Sequence, residues 1–218
     1  MKRFRILGVC VSLAGLMALT PAAMAQKWEF GGAGGGGFLS NVDVTGGAGS
    51  ATAGFSTGAA FSGYVGFSQY KHIGGEIRYA YLPSNLSLKS GGTEATFSGV
   101  SHVVHYDLIF KTTRNSGKVQ LFAAAGGGVK VFRGTGKEAS YQALEQYGLF
   151  TKTQTLKPML SVGGGVKFAL SKKVFLRTEF RDYITQFPTE VITPPSGSVK
   201  YGKILHDFVP MVGLGFEM

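Results

Sequence analysis

Eight stretches of about ten residues alternate apolar with small or polar side chains, and the connections between them are by turns long and short. The stretches run 28–39, 55–68, 73–82, 97–110, 119–132, 158–170, 175–183 and 206–218. Between them lie long connections at 40–54, 83–96, 134–156 and 185–203, and short ones at 70–72, 112–117 and 171–173. Period-two alternation puts each stretch in a strand with one apolar face. Short and long connections in strict turn mean that neighbouring strands are antiparallel and that the long segments gather at one end.

Alternation alone does not tell a soluble barrel from a membrane one, because both have one apolar face. The opposite face decides. It carries Arg78, Lys130, Lys167, Arg177 and Arg181 against Glu76, Asp107, Glu179, Asp207 and Glu217, while the apolar faces at the strand centres carry no Lys, Arg, Asp or Glu. An eight-stranded barrel is only wide enough for its own side chains, so these groups fill a narrow lumen and must pair by sign. A Lys or Arg on the outer face at mid-membrane would cost about 2 to 4 kcal/mol. The expected fold is therefore all-β: an eight-stranded antiparallel up-and-down transmembrane β-barrel spanning 26–218. Aromatics at stretch ends, Trp28, Tyr70, Tyr81 and Phe110, suit the interfacial girdles. A general diffusion pore needs a wider barrel.

Glycine supplies 34 of 218 residues against a usual share of about 7%, and many glycines sit inside the alternating runs, where a small barrel needs tight curvature. Gly126-Gly-Gly-Val-Lys130 recurs as Gly163-Gly-Gly-Val-Lys167, and the two bare patches are expected side by side in adjacent strands.

Residues 1–25 read as a secretory signal: Met1-Lys-Arg-Phe-Arg5, an apolar run over 6–20 and the small-x-small site Ala23-Met24-Ala25. A membrane-spanning helix needs about 20 apolar residues, more than this run offers, and the apolar stretch before Cys10 is too short for a lipoprotein signal. Without Lys2, Arg3 and Arg5 the formal charge falls from +10 to +7, and no cysteine remains for disulfides. No Lys/Arg run forms a patch, so the basic excess points to anionic lipid headgroups and not to nucleic acid. The final stretch runs to the last residue, and no further domain is expected after it.

The leader, the inward ladder of Leu176-Arg-Thr-Glu-Phe-Arg181 and the closing strand with Phe208, Val212, Leu214, Phe216 and Met218 on its apolar face resemble the small OmpA-like outer-membrane barrels. The resemblance covers essentially the whole mature length. It implies residence in the bacterial outer membrane among phospholipid and lipopolysaccharide, insertion by the outer-membrane assembly machinery acting on that closing strand, and no cofactor. The family's assembly signal usually ends in an aromatic residue. This chain ends in Met218, which shifts recognition toward Phe216. Larger members carry a peptidoglycan-binding domain after the barrel, so anchoring to the wall is not expected here.

Catalytic and ligand patterns are sparse. Gly32-Ala-Gly-Gly-Gly-Gly37 matches a dinucleotide-binding pattern in form, but no helix or acidic partner follows it. Some barrels of this kind modify lipid A with a Ser and a His two apart on one strand face. None of His72, His102, His105 and His206 has such a serine. His105 and Asp107 share the inner face and read as a polar pair in the lumen, and no metal set is present. The expected role is non-enzymatic, structural or surface-interacting, with a surface ligand on 134–156 and 185–203. In the first of these, Tyr141, Leu144, Tyr147 and Leu149 suggest a short helix or a sticky surface. A lipid-modifying enzyme and a narrow solute channel are the alternatives.

Overall fold

The computed structural model describes residues 27–47, 49–68, 70–112, 118–195 and 199–218. The expected leader and most of the short connection at 112–117 lie outside the described residues. Eight strands close into one antiparallel barrel: β1 (Lys27–Leu39), β4 (Gly58–Ser68), β5 (Ile73–Pro83), β8 (Gly99–Lys111), β9 (Val119–Gly134), β11 (Gln154–Ala169), β12 (Val174–Gln186) and β15 (Ile204–Glu217). Sequence neighbours pair throughout. The ring shuts where β1 bonds β15 on one side, Phe30 opposite Phe216, and β4 on the other, Phe30 opposite Val65. The strands expected from alternation are thus all present, in the expected order.

Their outer faces are apolar and open. Phe61, Leu121, Leu160, Val162, Val212 and Leu214 are each more than half exposed, as no soluble core would leave them. The closing strand follows the same rule, with Phe208, Phe216 and Met218 also outward. One position departs from the expectation. Asp182 sits on the outer face of β12 beside Phe180, where its Oδ2 lies 2.8 Å from His206 Nδ1 on β15. The pair lies near the strands' upper ends, where Gln186 opposes Ile204, away from mid-membrane, where a carboxylate costs most.

The glycine triplets do not adjoin as expected. Gly126 opposes Ser161 and Gly163 opposes Ala124, so the two are offset along the ladder. A Cβ on Gly128 would fall on the Val104 carbonyl and 2.5 Å from His105 Cα, whereas one on Gly163 would fall on the Phe180 carbonyl of β12. The first and third glycines of each triplet let its strand press against the outer neighbour in the β8-β9-β11-β12 series, whereas the middle ones, Gly127 and Gly164, face β11 and β9.

The largest difference from the sequence reading is in the long connections. They were expected to be loops; instead they carry seven further strands. These are β2 (Val42–Gly46), β3 (Gly49–Phe55), β6 (Leu86–Ser90), β7 (Thr93–Phe97), β10 (Leu149–Phe150), β13 (Ile192–Thr193) and β14 (Lys200–Tyr201). Five form a sheet in the order β14-β2-β3-β6-β7, and β10 pairs β13. Phe55, expected at the start of the second barrel stretch, belongs to β3. The described residues contain no helix.

Candidate functional site

The lumen is filled by charge. At its lower end Lys167 Nζ lies 2.5 Å from Glu29, which also meets Arg177 at 3.4 Å. In the middle, Glu76 and Glu179 lie among three guanidinium groups. Arg78 reaches them at 2.8 and 2.6 Å, Arg177 at 2.6 and 2.9 Å, and Arg181 both at 3.3 Å. Arg177 is also stacked between the Tyr64 and Phe122 rings, 4.4 and 4.3 Å from their centroids. Above this knot Asp107 accepts from Arg181, from Ser161 Oγ at 3.3 Å and meets His105 Nδ1 at 3.0 Å. Higher still, Lys130 pairs with Asp207.

Nine of the ten expected lumen residues thus fall within one column. Glu217 does not. It lies at the mouth, where it pairs with exposed Lys27 at 3.2 Å. Its ladder partner Glu29 points to the same inner side and, more deeply buried, completes the column. The balance is unchanged, because one carboxylate replaces another: Lys130, Lys167, Arg78, Arg177 and Arg181 face Glu29, Glu76, Glu179, Asp107 and Asp207. Glu29 follows Trp28 and precedes Phe30, both on the outer face, and that local alternation was the signal for it.

The His105 and Asp107 pair is completely buried, and the imidazole meets the Tyr183 ring edge-on at 5.2 Å. On the outer face of β8, His102 lies 2.8 Å from the Tyr79 hydroxyl. Among the described residues no cluster of His, Cys, Asp or Glu has the makings of a metal site.

Over the lumen the long connections fold into a cap with its own apolar core. All four contribute: Val42, Val44, Ala51 and Ala53 from the first, Leu86 and Leu88 from the second, Tyr147 and Phe150 from the third, Phe187, Val191 and Ile192 from the fourth. One of these was expected to behave otherwise: Tyr147 belongs to the supposed helix or sticky surface and is buried. Phe187 stacks on Tyr201 at 5.3 Å, and Ile192 pairs with Phe150. Only Tyr141 of the four named positions is fully outward, at 75% exposure. The overlooked signal is period-two alternation in short pieces, Val42-x-Val44, Ala51-x-Ala53-x-Phe55 and Leu86-x-Leu88.

Side-chain and backbone bonds hold the connections together. The Tyr201 hydroxyl, pushed up to about 12 by burial, donates to the Tyr147 carbonyl at 2.7 Å. The Glu190 carbonyl accepts from Thr151 and Thr153 at 2.6 and 2.9 Å, and its carboxylate meets Lys157 at 2.7 Å. Burial pushes the Glu190 carboxyl up, but the bond and charge of Lys157, a backbone hydrogen bond and the Thr155 hydroxyl together outweigh it and the net shift is downward. A carboxylate held below its ordinary value stabilises the folded form above that value, and the contribution is lost as pH falls through the lowered one. Protection of the 151–153 amides, their exchange rate set against that of an unstructured peptide at the same pH, is therefore expected to fall below about pH 4.5. In Glu190→Gln protection should be low already at neutral pH and lose that dependence.

A closed ring of eight antiparallel strands, an exposed apolar belt and a charged interior are now all in view. The fold is that of the eight-stranded outer-membrane barrels. Solved structures agree: OprG, an outer membrane protein from Pseudomonas aeruginosa, matches with a TM-score of 0.57 over 87% of this chain and 95% of its own, at 14% identity. Neisserial surface protein A matches with a TM-score of 0.54 over 88% of this chain and 97% of its own, at 10% identity. No family model and no curated protein matches the chain. In a barrel of this plan the short turns and the strand ends at Lys27 and Glu217 mark the periplasmic side, and the cap stands outside the cell.

Proposed function

We propose that the protein is an integral outer-membrane barrel that works at the cell surface through its cap, with no conducting path and no catalysis in its lumen. The observation that supports this most is the contrast between the two halves. The lumen is spent on internal pairing, whereas the connections are built into an ordered platform with exposed polar strands and an exposed tyrosine. A solute channel would need a polar passage, and the central knot of Glu76, Glu179 and three arginines lies across it. A hydrolase would need an accessible nucleophile, and the His105 and Asp107 pair is sealed inside. Lipopolysaccharide and phospholipid surround the belt as solvent, with lysines such as exposed Lys203 at the outer rim for their phosphates.

The test compares cells expressing the full chain with cells in which 84–98 and 135–153 are replaced by short Gly-Ser turns, on a panel of immobilised extracellular proteins. Binding is expected for the full chain and not for the shortened one. If full-chain cells bind no better than cells lacking the barrel, the surface reading falls. Purified protein in planar bilayers is expected to be silent, and stepwise conductance would put the channel in its place.

A further inference from the structure

We propose that the open edge of β7, together with the cleft beside it, captures an extended peptide segment of a partner protein. That segment carries a large apolar side chain for the cleft and a carboxylate for Lys137. The inference rests on the surface reading above and gives it a location and a chemistry.

The edge follows from the hairpin that makes it. β6 and β7 are joined by Gly91 and Gly92, both left-handed at φ +55 and +81, with Ser90 opposite Thr93. A two-residue turn of this kind makes the flanking residues a pair that exchanges both backbone hydrogen bonds, and every second pair after it does the same. Thr93, Ala95 and Phe97 therefore bond to β6. The N–H and C=O groups of Glu94 and Thr96 point the other way. β7 is the last strand of its sheet, and among the described residues no backbone partner meets those of Glu94 and Thr96.

The barrel explains why the edge stays open. The next place in the wall belongs to the chain leaving β9, which bonds the Ser98 carbonyl through the amides of Thr135 and Gly136 and then turns aside. Between that chain and β7 lies a cleft of about 240 Å³. This is below the roughly 300–1,000 Å³ of small-molecule sites and fits one large side chain. Phe97 and Phe150 form its floor, stacked at 5.7 Å and 10°. Ala95 and Ala139 line it, and Tyr141 stands at its rim. Proteins usually protect such edges with proline, lysine or a covering segment. Here the one charge on the strand, Glu94, is held by Lys89 at 3.1 Å. Unpaired strand groups beside a side-chain pocket are what strand addition uses: the backbone supplies affinity and the pocket supplies selectivity. Lys137, also on the cleft, has no carboxylate in ion-pair range among the described residues, and it favours an acidic segment.

The experiment uses the full chain in nanodiscs and a fluorescein-labelled peptide of alternating threonine and phenylalanine with aspartate at each end. Its control is the same peptide N-methylated at alternate backbone nitrogens. Thr96→Pro removes an outward N–H without touching the β6 ladder, and Thr96→Val keeps it. Heat-modifiable migration shows that each variant has folded. Anisotropy should report binding to the native protein and to Thr96→Val, weakened about tenfold or more by Thr96→Pro and by N-methylation, and a few-fold by Lys137→Ala. No binding to the native protein, or equal binding to Thr96→Pro, overturns the proposal. Disulfide-linked dimers of Thr96→Cys in two-copy nanodiscs would assign the edge to a second copy and also overturn it. If the peptide fails while capped cells still bind the protein panel, the surface reading stands and only this site is wrong.

Discussion

Glu179→Ala is expected to give the largest loss of stability of any single charge change in this barrel. Its carboxylate meets Arg78 at 2.6 Å, Arg177 at 2.9 Å and Arg181 at 3.3 Å, and all four side chains are essentially inaccessible. Removing it leaves Arg78 and Arg177 to share Glu76, with only Glu29 at 3.4 Å from Arg177 besides, while Arg181 keeps Asp107. Breaking a buried pair from one side costs about 3 to 5 kcal/mol, because the remaining charge cannot rejoin solvent. The measurement is the urea midpoint for unfolding from detergent micelles, followed by gel migration of unboiled samples. Lys137→Ala, on the cap surface, should stay within about 0.5 kcal/mol of the native protein. Equal effects of the two would mean that the arginines are paired by something other than Glu179.

The second large effect is steric. Gly128→Ala should prevent the barrel from closing, because the new Cβ would meet the Val104 carbonyl and His105 Cα, both backbone atoms that no rotamer change can move. Gly127→Ala is the control. Its Cβ would come no nearer than 3.3 Å, to the Met159 carbonyl, and otherwise face the lipid side. The two variants differ by one position and by which strand they press upon. Heat-modifiable migration after refolding should be lost in the first and kept in the second. A folded Gly128→Ala protein would show that β8 and β9 can separate there.

Much of this barrel could be read from alternation, because every membrane strand repeats the same physical demand. Lipid takes only apolar side chains, and a narrow interior accepts only paired charge. Arg78, Glu179 and Arg181 could be placed inside from parity alone. Glu29 is legible only from its neighbours Trp28 and Phe30, because glycine leaves the rest of that stretch almost bare, and parity puts Glu217 on the inner side without showing that it sits at the mouth. Asp182 was missed for a different reason. It opposes Phe208 on β15, and only the cross-strand approach of His206 explains how a carboxylate sits there. The cap was hidden because its strands are two to seven residues long. Pieces so short show alternation only after their partners are known, and those partners come from connections far apart in the chain.

That origin constrains how such a surface can change. The apolar core above the lumen takes side chains from all four long connections, so no one of them keeps its shape if another is exchanged. A graft of a single foreign loop onto this barrel would disturb the other three. Diversification of the outer face must therefore proceed by altering exposed side chains such as Tyr141 and Lys89 on a fixed frame, or by replacing the whole cap at once.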